Sequence, residues 1–184
     1  MKDAKMYVIR KPHQGDDVVE NVLNYMISSP YAYEDDIMTY EVSCDSFDLM
    51  LCDIHEVQAL KPMENHRGLF HLVLSTRPSK VAQRILDTGA QVILEYFEMI
   101  GHQAVVIPHH GSTSNNLNYH YHIALNPISL DGKRRLHDKW ETFCNMVTYL
   151  NENTPNNWTW QYTTPTIIKK NSNAYIKQLY YSFT

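Results

Sequence analysis

Apolar positions along the chain switch between two periods, and the switches predict the elements. Met6–Arg10 reads as a strand, cut off by Lys11-Pro12. Val18, Val19, Val22, Leu23 and Met26 recur at helical spacing behind Asp16 and Asp17, which predicts a helix over about 16–28, stopped by Ser28-Ser29-Pro30. Residues 37–43 predict a short strand and Phe47–Leu60 a helix. Leu69–Thr76 is a further apolar strand, ended by Arg77-Pro78. A long helix is expected after it, from about Ser79 as N-cap to Ile100. His102–Pro108 and Tyr119–Pro127 are apolar and rich in β-formers, and the polar stretch 110–118 between them predicts a hairpin with an enlarged connection. Beyond Asp131-Gly132 a helix is expected over about 133–151, and WTWQY and AYIKQLYYS in the tail suggest one or two more strands. The order of elements predicts a sheet packed against helices.

Composition narrows the class. The chain has 184 residues, 43% of them hydrophobic and 20% charged, which is ordinary for a soluble globular protein and fits a single domain over 1–184. No run approaches the ~18 apolar residues of a membrane span. The start, MKDAKMYVIRKPHQGDD, lacks the apolar core expected of a secretory signal. Cys44, Cys52 and Cys144 are odd in number and form no CxxC pair, so free thiols in a reducing cytoplasm are expected. The net charge of −4 conceals an asymmetry: residues 1–64 carry 5 basic and 13 acidic side chains, and the remainder 11 basic and 7 acidic. A nucleic-acid partner is therefore expected to meet the second part.

The histidines carry the candidate chemistry. His120 and His122 flank Tyr121 in an apolar strand, so their side chains share one face and Tyr121 takes the other. Such a pair is either a polar strand edge or two ligands of one cation. His109 and His110 close the preceding strand. If the two strands pair, one of these adjacent residues joins His120 and His122, and three imidazoles meet at one place. Such a set can hold Mg²⁺, Mn²⁺ or Zn²⁺.

The segment VVIPHHGSTSNNLNYHYHIALNPISLDGKRRL resembles the signature of plasmid mobilisation relaxases, the HUH-type strand-transfer endonucleases. The matching residues are His110, then His120-Tyr121-His122, Asn126, and Asp131-Gly132-Lys133. The loop after the first histidine is the longer form and lacks the acidic residue common in the family. Upstream, HRGLFHLVLSTRPS resembles the family's H-x-x-x-S strand through His71 and Ser75, and VVENVLNYMISSP resembles the helix that carries the nucleophilic tyrosine, here Tyr25. The likeness covers most of residues 5–140.

The resemblance implies an α+β fold with a mostly antiparallel central sheet that carries the HxH strand under packed helices. It implies nicking and religation of one DNA strand at an origin of transfer through a 5′-phosphotyrosyl intermediate. A divalent metal on His110, His120 and His122 would assist, and Asn126 would orient a ligand or a DNA group. It further implies a single-stranded DNA partner, accessory and coupling proteins, no membrane insertion, and a bacterial, element-encoded, cytoplasmic setting. Tyr31 and Tyr33 are the substitutes for Tyr25, and His109 is the alternative to His110. His71 is either a site-edge residue or a buried strand histidine. Arg77 and the run Lys133-Arg134-Arg135 either grip phosphates or are solvated. Trp158 and Trp160 either stack on bases or lie in the core. Glu34-Asp35-Asp36 is either a base near Tyr25 or a solvated loop. Two other functions fit the same residues: an inactive single-stranded DNA-binding relative, and a metal-dependent hydrolase that activates water.

Overall fold

The computed structural model describes residues 3–9, 17–61, 68–109 and 119–163. Strands β1 (Asp3–Ile9), β2 (Met38–Tyr40), β3 (Phe70–Thr76), β4 (His102–His109), β5 (His120–Ser129) and β6 (Asn157–Thr163) form one sheet in the order β2-β4-β5-β3-β1-β6. All neighbours are antiparallel except β1 and β6, which run parallel. The fold is α+β, and the HxH strand β5 lies inside the sheet between β4 and β3, as the sequence implied.

Strand alternation makes the two faces different. On one face Phe70, Leu72 and Leu74 of β3, Ala104 and Val106 of β4, and Tyr121, Ile123 and Leu125 of β5 meet helices α3 (Ala82–Ile100) and α4 (Trp140–Asn153). The opposite face takes Val105, Ile107 and Ala124 against helices α1 (Val18–Ile27) and α2 (Phe47–Ala59). On this second face β5 also presents His120, His122 and Asn126, because residues two apart on a strand share a side. Among the described residues no helix is long and apolar enough to cross a membrane.

Two expectations are adjusted. Helix α3 starts at Ala82; Ser79 contributes its carbonyl to the Ala82 amide and no side-chain cap. Helix α4 starts at Trp140, because the chain after β5 turns back on itself. Gly132 takes a left-handed φ of 68°, and the Asp131 carboxylate accepts from the Lys133 amide and the Ser129 hydroxyl. The Ser129 and Leu136 amides then donate to Arg134 and Pro127 carbonyls. These side-chain bonds offer the backbone an alternative to helix, so Lys133-Arg134-Arg135 is not a helix start. In the tail WTWQY is strand β6, and AYIKQLYYS lies outside the described residues.

Gly89 in α3 is where β6 docks: a Cβ there would stand 2.7 Å from Trp158 Cη2. Replacing Gly89 by Ala gains about 1 kcal/mol of helix propensity but should lose about 1–3 kcal/mol to overpacking. Urea unfolding of Gly89→Ala should therefore show a net loss, and a stabilised variant would show that Trp158 can yield. At the start of β4, His102 is buried and its Nδ1 lies 3.0 Å from the Asn126 carbonyl. Burial holds its pKa below the usual imidazole value, against the opposing effect of that bond. The stability it contributes is complete above the unfolded-state value of about 6.5 and is lost as pH falls below it. The unfolding free energy of His102→Gln should decline less than that of the wild type between about pH 7 and 5.

Candidate active site

Helix α1 sets one wall. Asp17 caps it by accepting from the Glu20 amide at 2.9 Å, and the same carboxylate meets His55 Nε2 of α2 at 2.9 Å. Val19, Val22, Leu23 and Met26 form the buried stripe, and Tyr25 flanks it, half-buried. Its ring stands edge-on to His122, with centroids 5.6 Å apart, and to His71, at 5.8 Å. Beyond the helix the chain is stitched to the end of β4: Ala32 bridges to His109, and the Tyr33 amide donates to the Pro108 carbonyl.

The sheet register sets the other wall. His109 of β4 lies directly opposite His120 of β5, and His122 lies opposite Ile107 on β4 and Val73 on β3. The ring centroids are 4.3 Å apart for His109 and His122, 5.3 Å for His109 and His120, and 5.0 Å for His120 and His122. One nitrogen from each of the three comes within 4.8 Å of the others. A cation bound at about 2.0–2.3 Å holds its nitrogens roughly 3–4 Å apart, so three nitrogens within 4.8 Å of one another form a cluster that could draw in around one. Neutral imidazoles also suit a divalent ion chemically. His109 Nε2 lies 2.7 Å from the Met26 carbonyl, so that nitrogen carries the proton and Nδ1 is the one that can ligate. His71 Nε2 lies 2.7 Å from His122 Nδ1.

A family model described as Relaxase: MobA/VirD2-like, nuclease domain, matches residues 27–154, more than half of the chain. The chain belongs to this relaxase family. No curated protein and no solved structure matches it. The matched span contains all three clustered histidines and His71, and it begins just past Tyr25.

The other sequence-derived residues of the relaxase fall in three groups. His71 is brought into the site, and Arg77 is exposed just past β3, at the end of the sheet where Ser75 faces His120. Asn126 shares the face of His122 but sits about 13 Å further along the strand. Its amide donates to Gln103 Oε1 and the Ile54 carbonyl, and its oxygen accepts from the Ile128 amide, so it seams sheet to helix α2. Lys133, Arg134 and Arg135 follow the far end of β5, which is 10 residues and about 30 Å long. There Arg134 donates to the Ile100 carbonyl at 2.8 Å.

Trp158 is core, while Trp160 packs with Trp140 and Phe143 on the α4 side. Glu34–Asp36 forms a short 3-10 turn. His110 lies outside the described residues. Tyr121 points to the opposite face and donates to Asp87; burial, then that carboxylate, pushes its phenol well above the usual range. Sequence reasoning missed the Met26 carbonyl altogether, since a backbone acceptor leaves no trace in residue identity.

Titration with Mn²⁺ should reveal one site per chain, and His120→Ala or His122→Ala should abolish it. Unchanged binding in the double variant would remove the three-imidazole centre.

Proposed function

We propose that this relaxase nicks and rejoins a single DNA strand at an origin of transfer, with Tyr25 as nucleophile beside a divalent cation held by His109, His120 and His122. The observation that carries this reading is the Tyr25 ring resting against His122 at the edge of the imidazole cluster. A tyrosine with a pKa of about 10 is mostly protonated at neutral pH. A phosphodiester also repels an incoming oxyanion, so the attack needs positive charge on the phosphate. A divalent ion in the cluster would supply that charge to the non-bridging oxygens.

The chain's own residues do the positioning. Tyr25 Oη attacks phosphorus in line, the bond from phosphorus to the 3′ oxygen breaks, and a 5′-phosphotyrosyl ester forms. The phenolic proton is lost and the departing oxygen gains one, leaving a 3′-OH. Religation is the reverse, with the 3′-OH attacking the tyrosyl ester. Arg77, exposed at the histidine end of the sheet, is suited to hold a neighbouring phosphate. The same reading gives the protein a bacterial, mobile-element origin, a cytoplasmic setting, and accessory and coupling proteins that deliver single-stranded DNA.

Incubation with labelled single-stranded oligonucleotides from the neighbouring genetic element, with Mn²⁺ or EDTA, tests the proposal on a denaturing gel. A metal-dependent protein–DNA adduct is expected for the wild type, Tyr31→Phe and Tyr33→Phe, and none for Tyr25→Phe. An adduct that survives Tyr25→Phe overturns the nucleophile. Cleavage without an adduct points to a water-activating hydrolase, and binding without cleavage to an inactive DNA-binding relative.

A further inference from the structure

A neutral imidazole can ligate a cation only through the nitrogen that lacks a proton, and the hydrogen bond made by the other nitrogen decides which one that is. The two fully enclosed rings of the cluster are held by different kinds of partner. His109 faces the Met26 carbonyl, which can only accept, so its tautomer is fixed by the backbone. His122 faces another imidazole: its Nδ1 lies 2.7 Å from Nε2 of His71, and both rings are 0% exposed.

The direction of this second bond matters. If His71 donated, neutral His122 would carry its proton on Nε2, the nitrogen away from His71, and could not ligate. If His122 donates, its Nε2 bears the lone pair, and His71 holds its own proton on Nδ1. We infer that His71 is the acceptor, a positioning residue that holds His122 as the Nδ1–H tautomer and directs Nε2 toward the cation. The inference rests on the reading of the three imidazoles as a metal centre.

The geometry around the pair supports a fixed couple. His71 sits opposite Ala124, two residues along β5 from His122, and reaches its neighbour diagonally across the β3–β5 pair. The His122 ring approaches His109 at 4.3 Å on one side and His71 at 5.0 Å on the other, so it bridges cluster and partner. Tyr25 stands edge-on to both members of the couple. Any loosening of His71 is therefore felt by the proposed nucleophile and the ligand together.

Nitrogen-15 spectra of histidine side chains in the metal-free wild type read the tautomer directly. A proton on His122 Nδ1 is expected, and a proton on Nε2 overturns the inference. Mn²⁺ titration of two variants supplies a second measure, with thermal melts to verify folding. His71→Phe fills the space but cannot accept, and should weaken binding roughly 10- to 100-fold. His71→Gln offers an amide oxygen to Nδ1–H and should recover most of that loss. Equal binding by wild type and a folded His71→Phe overturns the positioning role. If the Phe variant does not fold, the wild-type spectrum decides. A wild type that binds no Mn²⁺ but shows the expected tautomer would instead count against the metal centre, so the two failures are distinguishable.

Discussion

The last turn of a helix ends in carbonyls that have no partner inside the helix. In α1 one of these, on Met26, accepts from the imidazole of His109. The bond ties the helix that carries Tyr25 to the strand that carries a candidate ligand, and it fixes which nitrogen of that ligand faces the cluster. The rest of the wall depends on it. The Ala32–His109 bridge holds the connecting chain in line, the Asp17–His55 pair anchors the far end of the helix, and the apolar stripe sets its height above the sheet. Remove the imidazole and two defects appear at once: an orphaned carbonyl, and a helix end free to shift relative to β5.

The sheet divides its labour by face. The side under α3 and α4 is mostly hydrocarbon, with polar contacts such as the Tyr121–Asp87 bond and the Trp158–Thr154 bond toward its margins. The side under α1 and α2 starts as ordinary core around Val105 and Ala124, then becomes a row of imidazoles toward one end. Burying such rings without partners would cost on the order of 1–3 kcal/mol each. The structure offsets this by bonding them to a carbonyl and to one another, and a local break in the core pattern of this kind is where function is expected.

Much of this was legible in the residues. Period-two alternation placed His120 and His122 on one face and Tyr121 on the other, and the two flanking apolar runs implied the β4–β5 pair. The α1 stripe followed from helical spacing, with Tyr25 at its edge. What escaped was set by contacts distant in sequence. Which residue of β4 stands opposite His120 depends on register: it is His109, while His110 lies outside the described residues. The pairing of His71 with His122 spans two strands, and the Met26 acceptor is backbone. Asn126 shares the face of His122, yet distance along the strand gives it different neighbours. The late start of α4 came from a glycine turn whose Ser129–Asp131 bond outweighs the helical pattern that follows.

Trp158 lies beyond the span that the family match covers, yet it is 1% exposed and fills the notch over Gly89. Its backbone amide donates to Asn151 and its indole to Thr154, so the end of α4 is fastened to it. The strand it belongs to also covers the outer edge of β1. A piece trimmed at residue 154 would keep every clustered histidine but carry a tryptophan-sized hollow beside α3. It would also leave a row of open backbone groups along its N-terminal strand, the kind of edge on which chains aggregate. The stretch of this molecule that is recognisable by descent is thus shorter than the stretch that must be present for it to hold together.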